Sequence, residues 1–577
     1  MLKIFGGSSE TLRRHLIAMA ARGGRMIVIV PEQYTLQTER ELMAGLQVPG
    51  FFDLEVLSPS RLTERVFAQA GSDQRVRIDA RGKQLALARV LLSCKKELRY
   101  YESAAEKQGF IERVGSAIAD FKRAGVTPEM LKNHAESLPE GAAKDKMQDL
   151  ALLYAAYTQQ LADQFVDGED VLSAMIDRLP DSGIAQNALV AVYGFDVFTG
   201  QMCRILTALT RQSLETHALI VLGREECFAP VLESARRLQR TAEELQLPVS
   251  FQLLPPAEEK KAPELSHLSC HYLSLPGEIY PGPVSALRLY AAPNPYFEAH
   301  FAAQEMLLLH EKGVPFGEMA VAMGDLNFAG VLETVLSSYR IPAYVTRKLP
   351  ATAHGAARFL LSSLRTVADG YQPQDLLSLI KSGYAPLAPM ECWQLENYIL
   401  SYGIRGKIFL SPFQRGETEE CAQAEEIREK LIPPLENLRN QLKPAENAES
   451  ALRFIYDYLA DTGVYEKLAE NEELLLAKGM AAEAVQSRQV WDAMMQLLSQ
   501  AHAILAGARV SPRQLSSWLE AGLEACELSS LPPTADAVMC GEIGALPLSS
   551  PRVLFLMNLT DGILSAGSSG LITQEEQ

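Results

Sequence analysis

Apolar positions in the first 60 residues switch between short runs and helical spacing. Leu2–Phe5, the β-branched run Met26–Val30 and Phe51–Leu57 read as strands, and Glu10–Ala21 and Thr35 to about Leu46 read as helices between them. Unbroken apolar runs, rather than strict alternation, suit strands buried on both faces of a parallel sheet. From about Arg75 to Leu179 the chain repeats apolar residues at three and four, as in "IERVGSAIADFKRAG", and predicts helix throughout. Strand signals return at Ala188–Val192 and Ala218–Leu222, around the helical "GQMCRILTALTRQ".

The same plan then repeats. Leu287–Tyr290, Met319–Met323 and Ala343–Val345 read as strands, with helices at Tyr296–Glu311 and Val331–Tyr339 between them. Residues 353–530 are almost wholly helical, including Glu419–Gln441 and Asn471–Ala506. Arg552–Leu559 is a buried-type strand, with a turn expected at Asp561-Gly562. The pattern predicts one parallel-sheet domain from residues 1–75 and 181–283, interrupted by a helical insertion at 76–180. A second is predicted from 284–352 and 535–577, interrupted at 353–534. The polar ending "GLITQEEQ", soon after a core-like strand, reads as a domain still to be completed and the chain as part of a longer protein.

Charge sharpens this picture. The net charge is −17, which speaks against a general grip on nucleic acid. It is unevenly spread: residues 1–100 carry +6 and the remainder −23. That distribution fits contact with a limited stretch of polyanion, and equally an uneven surface. The eight cysteines form no C-x-x-C pair, which argues against a disulfide framework or a complete metal site. The one His/Cys cluster, His267, Cys270 and His271, lacks a second half-site and reads as chance. No apolar run is long enough for a membrane span and no signal-peptide pattern opens the chain, so a cytoplasmic location is expected.

The opening "LKIFGGSSETLRR" has the outline of a phosphate-binding loop. Gly6, Gly7, Ser8 and Ser9 can make a nest of N–H groups at a helix N-terminus. The pattern G-x-x-x-x-G-K-[ST], counted from Gly6, meets Thr11, Leu12 and Arg13, so the lysine and the metal-binding hydroxyl are replaced. Other catalytic patterns fail too. No G-x-S-x-G elbow is present, and the Asp-Gly pairs at 167–168 and 561–562 lack calcium-loop spacing.

Four segments, "IVIVPEQYTLQTEREL" (27–42), "VYGFDVFTGQMCRIL" (192–206), "EMAVAMGDL" (318–326) and "VLFLMNLTDGIL" (553–564), resemble the AddB component of the bacterial AddAB helicase–nuclease and the related RexB proteins. The resemblance runs through the whole chain in order. It implies two RecA-like domains of the superfamily-1, UvrD-like helicase type, each with a large helical insertion. It also implies an AddA-type motor subunit as partner, single-stranded DNA as ligand, and scanning for the recombination signal Chi. A nuclease domain with a 4Fe-4S cluster and Mg²⁺ is expected beyond Gln577. Where motor helicases carry an acidic pair after a strand, this chain has Tyr193-Gly194, and where an arginine would follow Ala320–Met323 it has Gly324. Three motor elements lost together predict no ATP hydrolysis by this chain, and no catalytic or metal-binding residue is expected in it; the alternatives are an interaction scaffold of the helicase fold without DNA contact, or a weak ATPase with a divergent phosphate loop. The DNA track implied by the family would be lined by Gln33, Thr35, the stretch Ser58 to Arg61, Phe195 and Phe198, although Pro59 and Glu64 stand where relatives tend to offer aromatic rings. Amide and hydroxyl groups read bases, arginine binds phosphate and rings stack. The same residues have plain structural readings: Gln33 as a cap, Arg61 paired with Asp53 or Glu55, and both phenylalanines in the core.

Overall fold

The computed structural model describes the chain except residues 106, 163, 224–227, 256–260, 273–275, 347–348, 446, 529–535, 545, 547–550, 561–570 and 572–577. The turn expected at 561–562 lies outside the described residues. The protein is α/β, with two parallel sheets and many helices.

The first sheet contains β1 (Leu2–Gly7), β2 (Met26–Ile29) and β3 (Leu54–Leu57). A two-residue parallel pair, β4 (Val76–Arg77) with β5 (Phe165–Val166), stands apart from it. The sheet resumes with β6 (Leu189–Val192), β7 (Glu215–Val221) and β8 (Val249–Leu253), in the order β3-β2-β6-β7-β1-β8. Side chains alternate between its faces, as a period of two requires. Ile4, Ile27, Ile29, Val190 and Val192 meet helices Pro59–Ala70, Gly168–Ser182 and Gly200–Gln212 through Val66, Met175 and Leu206. Phe5, Val28, Val56 and Leu219 face Leu12, Leu16 and Leu42 of helices Ser9–Ala20 and Thr35–Leu46. Both faces are therefore covered.

The second sheet draws on β9 (Met319–Met323) and β10 (Ala343–Val345). A short antiparallel pair, β11 (Leu349–Pro350) with β12 (Glu527–Leu528), brings together the ends of a long helical stretch. After it come β13 (Val538–Glu542) and β14 (Val553–Met557), giving the parallel order β10-β13-β9-β14. One face, with Val321, Met323 and Val538, packs on helices Pro295–Glu311 and Ala329–Ser338. The strand predicted at Leu287–Tyr290 does not form. Among the described residues that segment pairs with no strand, and its Leu289 is fully exposed, so an apolar pattern without a neighbour makes no strand.

The two long helical regions share one hydrophobic core. It runs from Ile78 to Phe165 and from Ala351 to Leu528. Arg81 crosses between them, donating to the Ala493 carbonyl at 3.2 Å and to Gln496 Oε1 at 2.5 Å, and Arg89 donates to the Ile504 carbonyl. The helix expected over Asn471–Ala506 is two helices, Val464–Ala477 and Ala481–Leu505, broken where Gly479 adopts φ +75°.

Candidate nucleic-acid interface and closed nucleotide loop

The loop after β1 is far shorter than a phosphate cradle. β1 ends at Gly7 and the helix begins at Ser9, leaving Ser8 alone as connection and N-cap. The Thr11 amide donates to Ser8 Oγ at 3.3 Å, and the Ser8 and Thr11 hydroxyls lie 2.9 Å apart. A Cβ on Gly6 would meet Leu253 at 2.8 Å and Leu222 at 3.0 Å, so glycine here permits close packing of leucines. Glu10 is held by Arg14 at 2.8 Å and Arg13 at 2.9 Å. Burial raises its pKa, and the two guanidiniums outweigh that and keep the carboxylate ionised. Beside this helix start Tyr193 packs against the apolar cluster of Leu12 and Val30, near Ser9. Burial and the nearby Glu41 push its hydroxyl up to about 12. A neutral phenol, leucines and an ionised glutamate thus occupy the surroundings of Gly6, Gly7, Ser8 and Ser9.

The strand-end loops of β2, β3 and β6 adjoin because β2 lies between β3 and β6. Gln33 is exposed in the short turn Glu32–Tyr34, and Arg61 is exposed in the first turn of helix Pro59–Ala70. Glu32 ties the two loops together: its carboxylate accepts the Ser60 amide at 3.0 Å. Burial raises the Glu32 pKa, but the Ser58 and Ser60 hydrogen bonds and the nearby Arg61 hold it below the usual carboxylate range. Sequence reading passed over Glu32, although it stands inside the quoted P-E-Q segment. Thr35 turns inward to its own loop, its hydroxyl donating to the Glu32 carbonyl at 3.2 Å. Ser58 is the N-cap of its helix, accepting the Arg61 amide at 3.3 Å, and is buried. Arg61 is not the partner of Glu55, which pairs with Arg65 at 2.9 Å. It borders a cleft of about 460 Å³ along β3, together with Glu39, Phe51, Glu55, Glu64 and Arg65. Its charge is mixed rather than uniformly positive.

Phe198 requires a correction. It is 1 % exposed in the core of the first sheet and offers no ring face to a base. Phe195 is half-buried against the same core. The surrounding motif joins the first helical region to the sheet. Gly194, at φ +81°, lies where a Cβ would meet Pro31 at 3.4 Å and Tyr34 at 3.5 Å. Thr199 caps helix Gly200–Gln212 by accepting the Met202 amide at 3.2 Å. A Cβ on Gly200 would stand 3.0 Å from the Ala124 carbonyl oxygen, at the end of helix Gln108–Ala124. Gln201, buried, donates to the Glu169 carbonyl at 2.9 Å and Ser173 Oγ at 3.1 Å. A Thr before a helical run was the available signal for this capping role.

Beside this junction Lys122 is buried between Asp167 at 2.6 Å and Asp170 at 2.7 Å, and the Tyr157 hydroxyl donates to Asp167 at 2.9 Å. Burial raises both carboxyl pKa values. Lys122 overcomes that at Asp167, which stays low, whereas the Asp167 charge adds to it at Asp170. These contacts are mutually satisfied and read as structural. Among the described residues no group of three or more His, Cys, Asp or Glu could hold a metal ion. Among them, too, no helix is long and apolar enough to cross a membrane.

Comparison with known proteins gives one consistent answer. Residues 9–269 match the family described as ADDB, N-terminal. Proteins named as the B component of an ATP-dependent helicase/deoxyribonuclease align along nearly the whole chain. That of Desulforudis audaxviator is 29 % identical over 98 % of this chain and 52 % of its own length. That of Alkaliphilus metalliredigens is 27 % identical over 96 % of this chain and 51 % of its own length. The Clostridium botulinum Loch Maree protein is 26 % identical, again over 96 % and 51 %. The chain thus spans about half the length of the curated relatives it matches. The family match over residues 9–269 and the alignments along nearly the whole chain agree with the four segments read from the sequence: the chain is similar to AddB proteins throughout.

Proposed function

We propose that this chain is the helicase-like, non-motor part of a DNA-processing helicase–nuclease subunit in the cytoplasm, working in double-strand-break repair. Its two sheets are taken as RecA-like domains of superfamily-1 type and its helical regions as their insertions. The observation that carries the non-motor reading is the single-residue connection between β1 and helix Ser9–Ala20, with Tyr193 packed against the adjoining apolar cluster. A nucleotide triphosphate needs backbone amides, a lysine and a metal-binding hydroxyl in that space. An AddA-type subunit supplies the motor in this reading. In the same reading, the iron–sulfur cluster and Mg²⁺ expected from the resemblance fall outside this chain.

Gln33 and Arg61, brought together by the Glu32–Ser60 bond, are the candidate contacts to single-stranded DNA, with Phe195 at the rim. In the assembled complex these contacts serve the reading of Chi. The mixed charge of the Arg61 cleft favours a second reading, a protein-interaction scaffold of the same fold without DNA contact.

Two experiments test the proposal. The purified chain is expected to show no DNA-stimulated ATP hydrolysis. A rate above ~0.1 per second that disappears on mutating Ser8 and Ser9 would overturn the non-motor reading, since motor enzymes turn over at roughly 1–1000 per second. In the reconstituted complex, Arg61→Ala is expected to weaken single-strand binding by about 1–3 kcal/mol if it reads a base, with a smaller and sequence-independent loss if it touches phosphate. Unchanged affinity for strands with and without Chi at low salt would favour the scaffold.

A further inference from the structure

Helices Val464–Ala477 and Ala481–Leu505 form a hairpin whose base belongs to the helical core and whose far end leaves it. At the base, Val464, Leu468, Val490 and Met494 are buried in that core. The Tyr465 and Trp491 rings lie 5.2 Å apart, and Lys467 donates to the Tyr384 carbonyl at 3.2 Å. Beyond Leu468 the first helix buries no residue. The arm is nonetheless braced. Glu472 pairs with Arg488, Asn471 donates to Ser487 Oγ at 3.4 Å, and Ala484 is buried between the helices. Its tip is closed by Gly479, with the Gly479 and Met480 amides returning to the Leu476 and Leu475 carbonyls at 3.0 and 2.9 Å.

The braced tip presents apolar groups to solvent: Leu474 is 51 %, Leu476 53 % and Met480 40 % exposed. Leu474 and Leu476 are two residues apart and so point to different flanks. Apolar surface on both flanks suits insertion into a groove rather than flat docking. Residues 466–488 carry five glutamates against three basic residues, one of which, Arg488, is already paired with Glu472. An acidic rim repels polyanions, which argues against nucleic acid as the occupant.

We propose that this arm is a docking plug for the companion subunit, which offers it an apolar groove bordered by Lys and Arg. The inference rests on the reading of the chain as one subunit of a complex. Its test uses the full chain with its companion subunit. Leu474→Ser, Leu476→Ser and Met480→Ser together should weaken association at least ~10-fold, as loss of a central apolar anchor does. The thermal midpoint of the isolated chain should be unchanged, because these side chains leave the core. Glu470→Lys with Glu473→Lys should weaken association in low salt, and the loss should shrink in high salt. Failure of the wild-type chain to associate overturns the subunit reading itself. Wild-type association that the triple variant retains overturns the plug alone, as does a triple variant that loses single-strand DNA binding but not its partner.

Discussion

The two parallel sheets differ in what covers them. In the first, both faces meet helices, and Val28, Val30, Val190 and Val192 are wholly buried. In the second, one face packs on helices Pro295–Glu311 and Ala329–Ser338, while the other carries a small cluster of Ala320, Ala322 and Leu546. On β14, Leu554 is 44 % and Leu556 54 % exposed. The apolar runs look alike in sequence, yet burial depends on the partner layer. A parallel sheet is normally covered on both sides. The first sheet therefore holds its strand-end loops on a core buried from both sides, and the second is where substitution should be felt least, on the face where Leu554 and Leu556 are exposed.

The largest expected effect is at Phe198. It fills the first sheet's core, and its amide donates to the buried Ser234 hydroxyl at 2.5 Å. Phe198→Ala should cost about 3–5 kcal/mol of stability, through lost burial and the cavity left behind. Urea denaturation followed by circular dichroism measures this. If Phe198 instead stacked on DNA, the substitution would leave stability nearly intact and weaken single-strand binding, which is the result that would break the assignment.

A smaller effect should appear on acidification. His217 on β7 is 1 % exposed, with Nδ1 3.1 Å from His15 Nε2 and Nε2 3.1 Å from a Glu215 oxygen. Burial, aided by the charges of His15 and Lys3, lowers its pKa to about 4, against the opposing pull of Glu215. The unfolded chain, with a pKa near ~6.5, binds the extra proton first. The stabilisation is thus present above that value and is lost as pH falls toward about 4. The loss should be about 3 kcal/mol. His217→Gln should flatten this part of the pH profile of the urea midpoint; an unchanged slope between pH 7 and 4.5 would show that the ring is not what senses the proton.

The sequence made the central strands legible because β-branched runs have few other uses. It missed β8, whose Ser250 and Gln252 interrupt the apolar pattern at a sheet edge, and β13, a short strand containing Gly541. It overread Leu287–Tyr290, because pairing depends on a neighbour that no local pattern encodes. It ran one helix through Gly479, where periodicity on either side concealed the turn. It placed Gln33 and Arg61 just after strands, and both are exposed in strand-end turns. Glu32 escaped it, because the Ser60 amide that this carboxylate holds is 28 residues away in the chain. Phe198 was open to both readings, since an aromatic after a strand reaches solvent or core according to the next helix, and here Thr199 starts that helix at once.

The smallest expected effect lies on the open face of the second sheet. Leu554 pairs in register with Ala320 and Leu556 with Ala322, so both leucines sit beside alanines that cannot cover them. Leu554→Ser and Leu556→Ser should each change the stability of this chain by less than about 0.5 kcal/mol, the range of surface substitutions. The same exchange at Val190 or Val192, on a strand covered from both sides, should cost several-fold more, since it removes buried apolar area and places a hydroxyl in the core. Parallel urea titrations of the four variants measure the contrast. A cost at Leu556 approaching that at Val192 would mean that the second face is covered in solution, and the difference between the two sheets would disappear.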